Sequence, residues 1–135
     1  MIKLSFPFLI IAVLSCSSPT ANTRGNANNL YGQWMLRSIA GGINGNEQKI
    51  DTASQKTILT LNENNTATEI HNDSLVWTDK FSIEKRKSIH SLDSINFIIY
   101  EKNHSPDAIE HLVKDSLVLG DNMIDGFTRF YTRFR

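Results

Sequence analysis

From residue 57 onward the chain alternates apolar and polar side chains with a period close to two. Thr57-Ile58-Leu59-Thr60-Leu61 is β-branched and apolar. Asn62-Glu63-Asn64-Asn65 is turn chemistry, and Thr66-Ala67-Thr68-Glu69-Ile70 resumes the alternation. Two such runs around a polar break predict a hairpin. His71-Asn72-Asp73 turns the chain again. Leu75, Trp77, Phe81 and Ile83 then share one parity, which Asp79 interrupts. A charge on an apolar parity predicts a bend or bulge at 78–80. Residues 94–101 form the strongest strand, with Ile95, Phe97 and Ile99 on one face and Ile98 and Tyr100 beside Asn96 on the other. With both faces largely apolar, this strand is expected to be central or covered. Further strands are predicted at 108–113 and 116–119, joined at Lys114 and Asp115, and at 127–134 after the break Gly120-Asp121-Asn122. A first strand covers 30–40. No segment carries a helical stripe of any length, although Asn46-Glu47-Gln48-Lys49 after Gly45 fits a single helical turn. Many short strands at even spacing predict an all-β domain, an antiparallel barrel or a sandwich.

The two end strands carry a more specific pattern. The first opens with Gly32-x-Trp34. The last repeats Thr-Arg-Phe, as Thr128-Arg129-Phe130 and Thr132-Arg133-Phe134, so that Arg129 and Arg133 share a face with Phe127 and Tyr131, and Phe130 and Phe134 share the other. This pairing resembles the lipocalins and their small bacterial lipocalin-like relatives. It covers 30–135 in pattern, and Gly32, Trp34 and Arg133 match residue by residue. The resemblance implies an up-and-down antiparallel β-barrel of about eight strands, in which Arg133 packs over Trp34 and closes the base. A guanidinium over an indole contributes about 1–2 kcal/mol when partly desolvated. The resemblance also implies a carrier of one small apolar or amphipathic ligand, for which Trp77, Phe81, Phe97, Ile99 and Phe130 are the candidate contacts.

The chain before residue 30 has a different character. Lys3 precedes an apolar run at 4–14, interrupted by Ser5 and Pro7 and too short to cross a bilayer as a helix, so 1–15 is expected to be a signal peptide. Val13-Leu14-Ser15-Cys16 resembles the lipobox of bacterial lipoproteins, which makes Cys16 the expected lipidation site and a lipid anchor the expected membrane partner. Several acyl chains on one residue suffice for stable anchoring, where a single chain does not. Ser17 in place of Asp implies outer-membrane delivery, with the domain facing the periplasm. Residues 16–29 carry no large apolar side chain and read as a flexible tether to the domain at 30–135. Cys16 is the only cysteine, so no intrachain disulfide supports the fold.

Composition narrows the function further. Fourteen Lys and Arg balance fourteen Asp and Glu, which gives no electrostatic case for nucleic acid. The basic run Lys85-Arg86-Lys87 reads as a solvated turn. His71, His90, His104 and His111 have no two members at ligand spacing on one element, so no metal or other cofactor is expected. His104 and Asp107 share a loop without a neighbouring nucleophile. No serine lies in a nucleophile elbow, and Gly41-Gly42-Ile43-Asn44-Gly45 lacks the lysine of a phosphate loop. The expectation is therefore a binding protein, not an enzyme. Loop 41–55 is a candidate gate for its ligand. Because no inward cluster of charge is evident, that ligand is expected to be apolar or amphipathic. The alternative is a barrel filled by its own side chains, acting on an envelope protein partner or as a structural module. Asp51-Thr52-Ala53, Asp73-Ser74-Leu75, Asp93-Ser94-Ile95 and Asp115-Ser116-Leu117 resemble acceptor triplets of a periplasmic O-glycosylation system, but they coincide with predicted turns, where Asp and Ser are favoured anyway.

Overall fold

The computed structural model describes residues 30–102 and 104–135. The expected signal peptide, Cys16 and the tether lie outside the described residues. Nine strands follow one another: β1 (Gly32–Gly41), β2 (Glu47–Lys49), β3 (Thr57–Leu61), β4 (Thr66–His71), β5 (Ser74–Lys87), β6 (Ser94–Tyr100), β7 (Asp107–Val113), β8 (Ser116–Asp121) and β9 (Phe127–Arg133). From β3 to β9 each strand pairs antiparallel with the next, β3 pairs with the first half of β1, and β9 returns to β1 along nearly its whole length. The result is a closed eight-stranded up-and-down barrel, and closure removes the edges that an open sheet would expose.

The ninth strand is β2, and it corrects an expectation. Residues 47–49 pair with Ser38, Ile39 and Ala40 of β1 and do not form a helical turn. β3 covers only Gly32 to Met35 on that side of β1, leaving the backbone groups further along unpaired. A three-residue polar run has no apolar stripe to hold a helix, whereas the open ladder offers it partners directly.

The turns follow local chemistry. Asn72 and Asp73 both adopt positive φ, 47° and 65°, in the two-residue turn between β4 and β5. That is the conformation matching the right-handed twist of a hairpin. Asn65, at φ 61°, closes the β3–β4 turn, with its N–H donating to the Asn62 carbonyl at 3.0 Å.

Bulges decide which side chains enter the barrel. On β1 the register slips between Leu36 and Ser38 against β9. Trp34 and Leu36 therefore face inward, and beyond the slip it is Ile39 that packs against the core. The irregularity expected at 78–80 falls two residues earlier, at Val76, where Glu69 and Ile70 oppose Trp77 and Leu75. Thr78, Asp79 and Lys80 keep regular register with β4. The shift at Val76 takes Leu75 off the parity of Trp77, Phe81 and Ile83 and leaves it 63% exposed. Asp79 instead stays buried, because its carboxylate accepts the N–H groups of Lys80 at 2.8 Å and Lys102 at 3.0 Å. Here β5 leaves β4 and begins pairing with β6 at Phe81.

The core is one cluster from around the whole barrel: Leu30, Trp34, Leu36, Leu59, Leu61, Ala67, Phe81, Ile98, Tyr100, Leu117, Leu119 and Tyr131. On β6 the adjacent Phe97 and Ile98 are both buried, which makes this the doubly covered strand that its two apolar faces predict.

Candidate functional site

At the base of the barrel Trp34 is fully buried, and its indole N–H donates to the Leu30 carbonyl at 2.7 Å. The Arg133 guanidinium lies 4.1 Å from the Trp34 ring centre. Its Nη1 donates to the Tyr31 carbonyl at 2.8 Å, and Nε stands 3.6 Å from the Asp115 carboxylate. Gly32 has φ +131°, and a Cβ there would stand 2.5 Å from Arg133 Nη1, so this glycine makes room for the arginine. The three residues form one structural closure joining first strand to last.

A second arrangement occupies the barrel interior on the far side of the apolar cluster. Glu69 on β4 stands directly opposite Trp77 on β5. Trp77 meets Tyr100 edge to face at 5.5 Å between ring centres and packs against His104 at 4.4 Å. Asp107, at the start of β7, pairs with Asp121 at the end of β8, and both accept hydrogen bonds from Arg129 Nη2, at 2.5 and 2.8 Å. The buried Tyr100 hydroxyl donates to the other oxygen of Asp107 at 2.8 Å. Around these groups is a cavity of about 130 Å³ lined by Glu69, Trp77, Tyr100, His104, Ser105, Asp107, Asp121 and Arg129.

The charges in this chamber depend on one another. Burial lifts the Asp107 carboxyl above the ordinary carboxylate range, against the pull of Arg129. Burial also opposes the Arg129 charge, but Asp107, with Tyr131 and Asp121, more than offsets it and the guanidinium is held more firmly protonated than usual. The Tyr100 hydroxyl is pushed up by burial and by the negative charge of Asp107, which fixes it as a donor. Glu69 is raised by desolvation, only partly countered by Arg129. Among the described residues Glu69 has no hydrogen bond and no ion pair. Arg129 Nε is buried without an acceptor. Below the chamber, burial disfavours the Asp79 charge, yet the amides of Lys102 and Lys80 hold its carboxyl below the usual range. His104 Nδ1 lies 3.7 Å from it. His104 Nδ1 thus lies near Asp79 but is buried without a hydrogen bond, and Asp107 is engaged by Arg129 and Tyr100.

The five residues expected to contact a ligand are not brought together. Trp77 lines the chamber, and Phe81 is buried in the apolar core beneath it. Phe97 and Ile99 alternate with the inward Ile98 and Tyr100, and Phe130 alternates with the inward Tyr131, so these three face away from the interior. Phe97 lines an adjoining cleft of about 330 Å³ with Arg86, Lys87, Pro106, Asn122 and Met123, which shares Ser105 and Asp121 with the chamber. The expected absence of inward charge is also overturned: Glu69, Asp79, Asp107, Asp121 and Arg129 all carry charge into or beside the interior. Two of these had a signal in sequence, Arg129 by its parity with Tyr131 and Arg133, and Asp79 as a charge on the apolar parity of β5. The carboxylates come from separate strands and sit in no motif. The 41–55 loop contributes nothing to the cavity lining, and it instead joins the β8–β9 turn through Gly42 N–H to the Gly126 carbonyl at 3.3 Å.

Comparison with protein-family models, with curated proteins and with solved structures gives no match.

Proposed function

We propose that this domain is a binding protein for a compact polar molecule held inside the barrel between Glu69, Trp77, Tyr100 and Arg129. One observation carries the reading. The apolar side chains that could have lined a long hydrophobic pocket pack against each other as the core, and the interior space that is left is about 130 Å³ with charged and aromatic walls. Pockets for drug-sized ligands run to roughly 300–1,000 Å³, so this space suits a much smaller molecule. Convergent polar groups with shifted proton affinities in a concave site are the general marks of a small-ligand site. Membrane attachment through Cys16 belongs to the same reading and rests on the sequence at 13–16. It would hold the domain in the cell envelope, facing the periplasm.

A second reading keeps the amphipathic ligand and moves it to the outer cleft. It is favoured by the lining of that cleft, which combines Phe97 and Met123 with the basic Arg86 and Lys87. Amide chemical-shift mapping on the isotopically labelled full chain in detergent micelles separates the two. Titration with a panel of small polar molecules is expected to move Glu69, Trp77 and Tyr100. Saturable shifts confined to Phe97, Asn122 and Met123 on adding a short-chain fatty acid would favour the cleft. No saturable shift with either class would leave a filled barrel acting through a protein partner.

A further inference from the structure

We infer that the chamber is selective for charge and takes a compact organic ammonium that also bears an acceptor oxygen. The inference deepens the reading above and rests on it. Three carboxylates, Glu69, Asp107 and Asp121, face the cavity against one guanidinium, a formal excess of two negative charges among these four groups. Two of the three are already used. Arg129 Nη2 holds Asp107 and Asp121 together, and Tyr100 holds Asp107 from the other side. Glu69 is left as a carboxylate with no hydrogen bond or ion pair among the described residues, half-buried at a point where desolvation makes its charge costly and Arg129 offsets that only in part. A cation beside it restores what burial removed, and an anion adds repulsion.

The walls point the same way. Trp77 stands directly across the strand pair from Glu69, with Tyr100 and His104 packed around it. A cation between a carboxylate and aromatic rings gains from both, and the ring contribution grows as water is excluded. Among the described residues the buried side-chain atoms without a hydrogen bond are His104 Nδ1 and Arg129 Nε, so the unmet donor beside Glu69 is Arg129 Nε. A ligand that answers both carries an ammonium at one end, for Glu69, and a hydroxyl or carbonyl oxygen a few bonds away, for Arg129. Aromatic walls beside one carboxylate suit an organic ammonium, and no group of three or more His, Cys, Asp or Glu among the described residues is arranged to hold a metal ion.

Three molecules of nearly equal size separate charge from shape: ethanolammonium, ethylene glycol and glycolate. Each is titrated into the labelled full chain in detergent micelles, following the Trp77 indole and the Glu69 and Tyr100 amides. Ethanolammonium is expected to give saturable shifts there, with glycol and glycolate at least about tenfold weaker, the scale of one charge-assisted contact. E69Q is expected to reduce ethanolammonium to the level of glycol, and E69D to retain a preference for it. Equal binding of glycol, preference for glycolate, or full binding of ethanolammonium by E69Q would overturn the charge selectivity and leave the chamber as a polar site. Absence of any saturable shift from all three would overturn the chamber as a site altogether.

Discussion

Replacing Arg133 with Ala tests whether the barrel is held shut where its ends meet. The contributions of three of its contacts can be set out. Stacking over buried Trp34 at 4.1 Å is worth about 1–2 kcal/mol at a partly desolvated site. A charged donor to the Tyr31 carbonyl at 2.8 Å adds about 1.5 kcal/mol. The ion pair with Asp115, a carboxylate 57% exposed and also reached by Arg135, adds at most a few tenths of a kcal/mol in solvent. R133A is therefore expected to lose about 3 kcal/mol. For a domain of this size, that lowers the melting temperature by roughly 12–20 °C. R133K keeps a charge near the carbonyl but loses the flat guanidinium face, and is expected to fall about halfway. Urea unfolding followed by far-ultraviolet circular dichroism reads both, provided the denaturant slope is unchanged. A loss below about 1 kcal/mol for R133A would refute the idea that this closure stabilises the barrel. R133K as stable as the wild type would show that the stacked geometry contributes nothing.

Further outcomes follow from the same structure. G32A forces a side chain onto φ +131° and into the space of Arg133 Nη1, and is expected to cost about 2–3 kcal/mol. Because both changes disturb one contact, G32A with R133A should cost less than the two separately. Asp79 titrates below its ordinary value of 3.8, so its stabilisation is present above that pH and is lost as pH falls further. D79N should flatten the acid limb of the stability curve measured by thermal melting. Glu69 shifts the opposite way: its raised proton affinity stabilises the fold below its ordinary value of 4.5 and is lost as pH rises through the folded value. The stability of E69Q relative to the wild type should accordingly increase on going from acid to neutral pH, and a difference that stays flat would contradict burial as the cause.

The strands were legible because their determinants are local. Alternating Ile, Leu and Thr at 57–61, turn chemistry at 62–65 and 71–73, and the doubly apolar run at 94–100 each fix backbone geometry within a few residues. Position along a strand also told which residues share a face, and so linked Arg129, Tyr131 and Arg133 before any packing was considered. The short strand at 47–49 was not legible, since it exists only because β1 has an unpaired stretch.

The site was much less legible. Its walls come from six places between Glu69 and Arg129, and no two of its carboxylates are close in sequence. Reading Phe97, Ile99 and Phe130 as interior residues treated bulk as a sign of the inside. Apolar residues on both faces of a covered strand carry no such sign.

By itself the sequence determined an all-β domain from about residue 30, its turns, and the faces that alternate along each strand, because these follow from side-chain period and backbone preference. Only the tertiary structure decided which face is the interior. Single-residue slips at Arg37, Val76 and Glu110 change register, and each slip exchanges the inward and outward sets beyond it. Closure of β9 onto β1 then sets three carboxylates and one arginine around the same small space, an arrangement that no stretch of the chain contains.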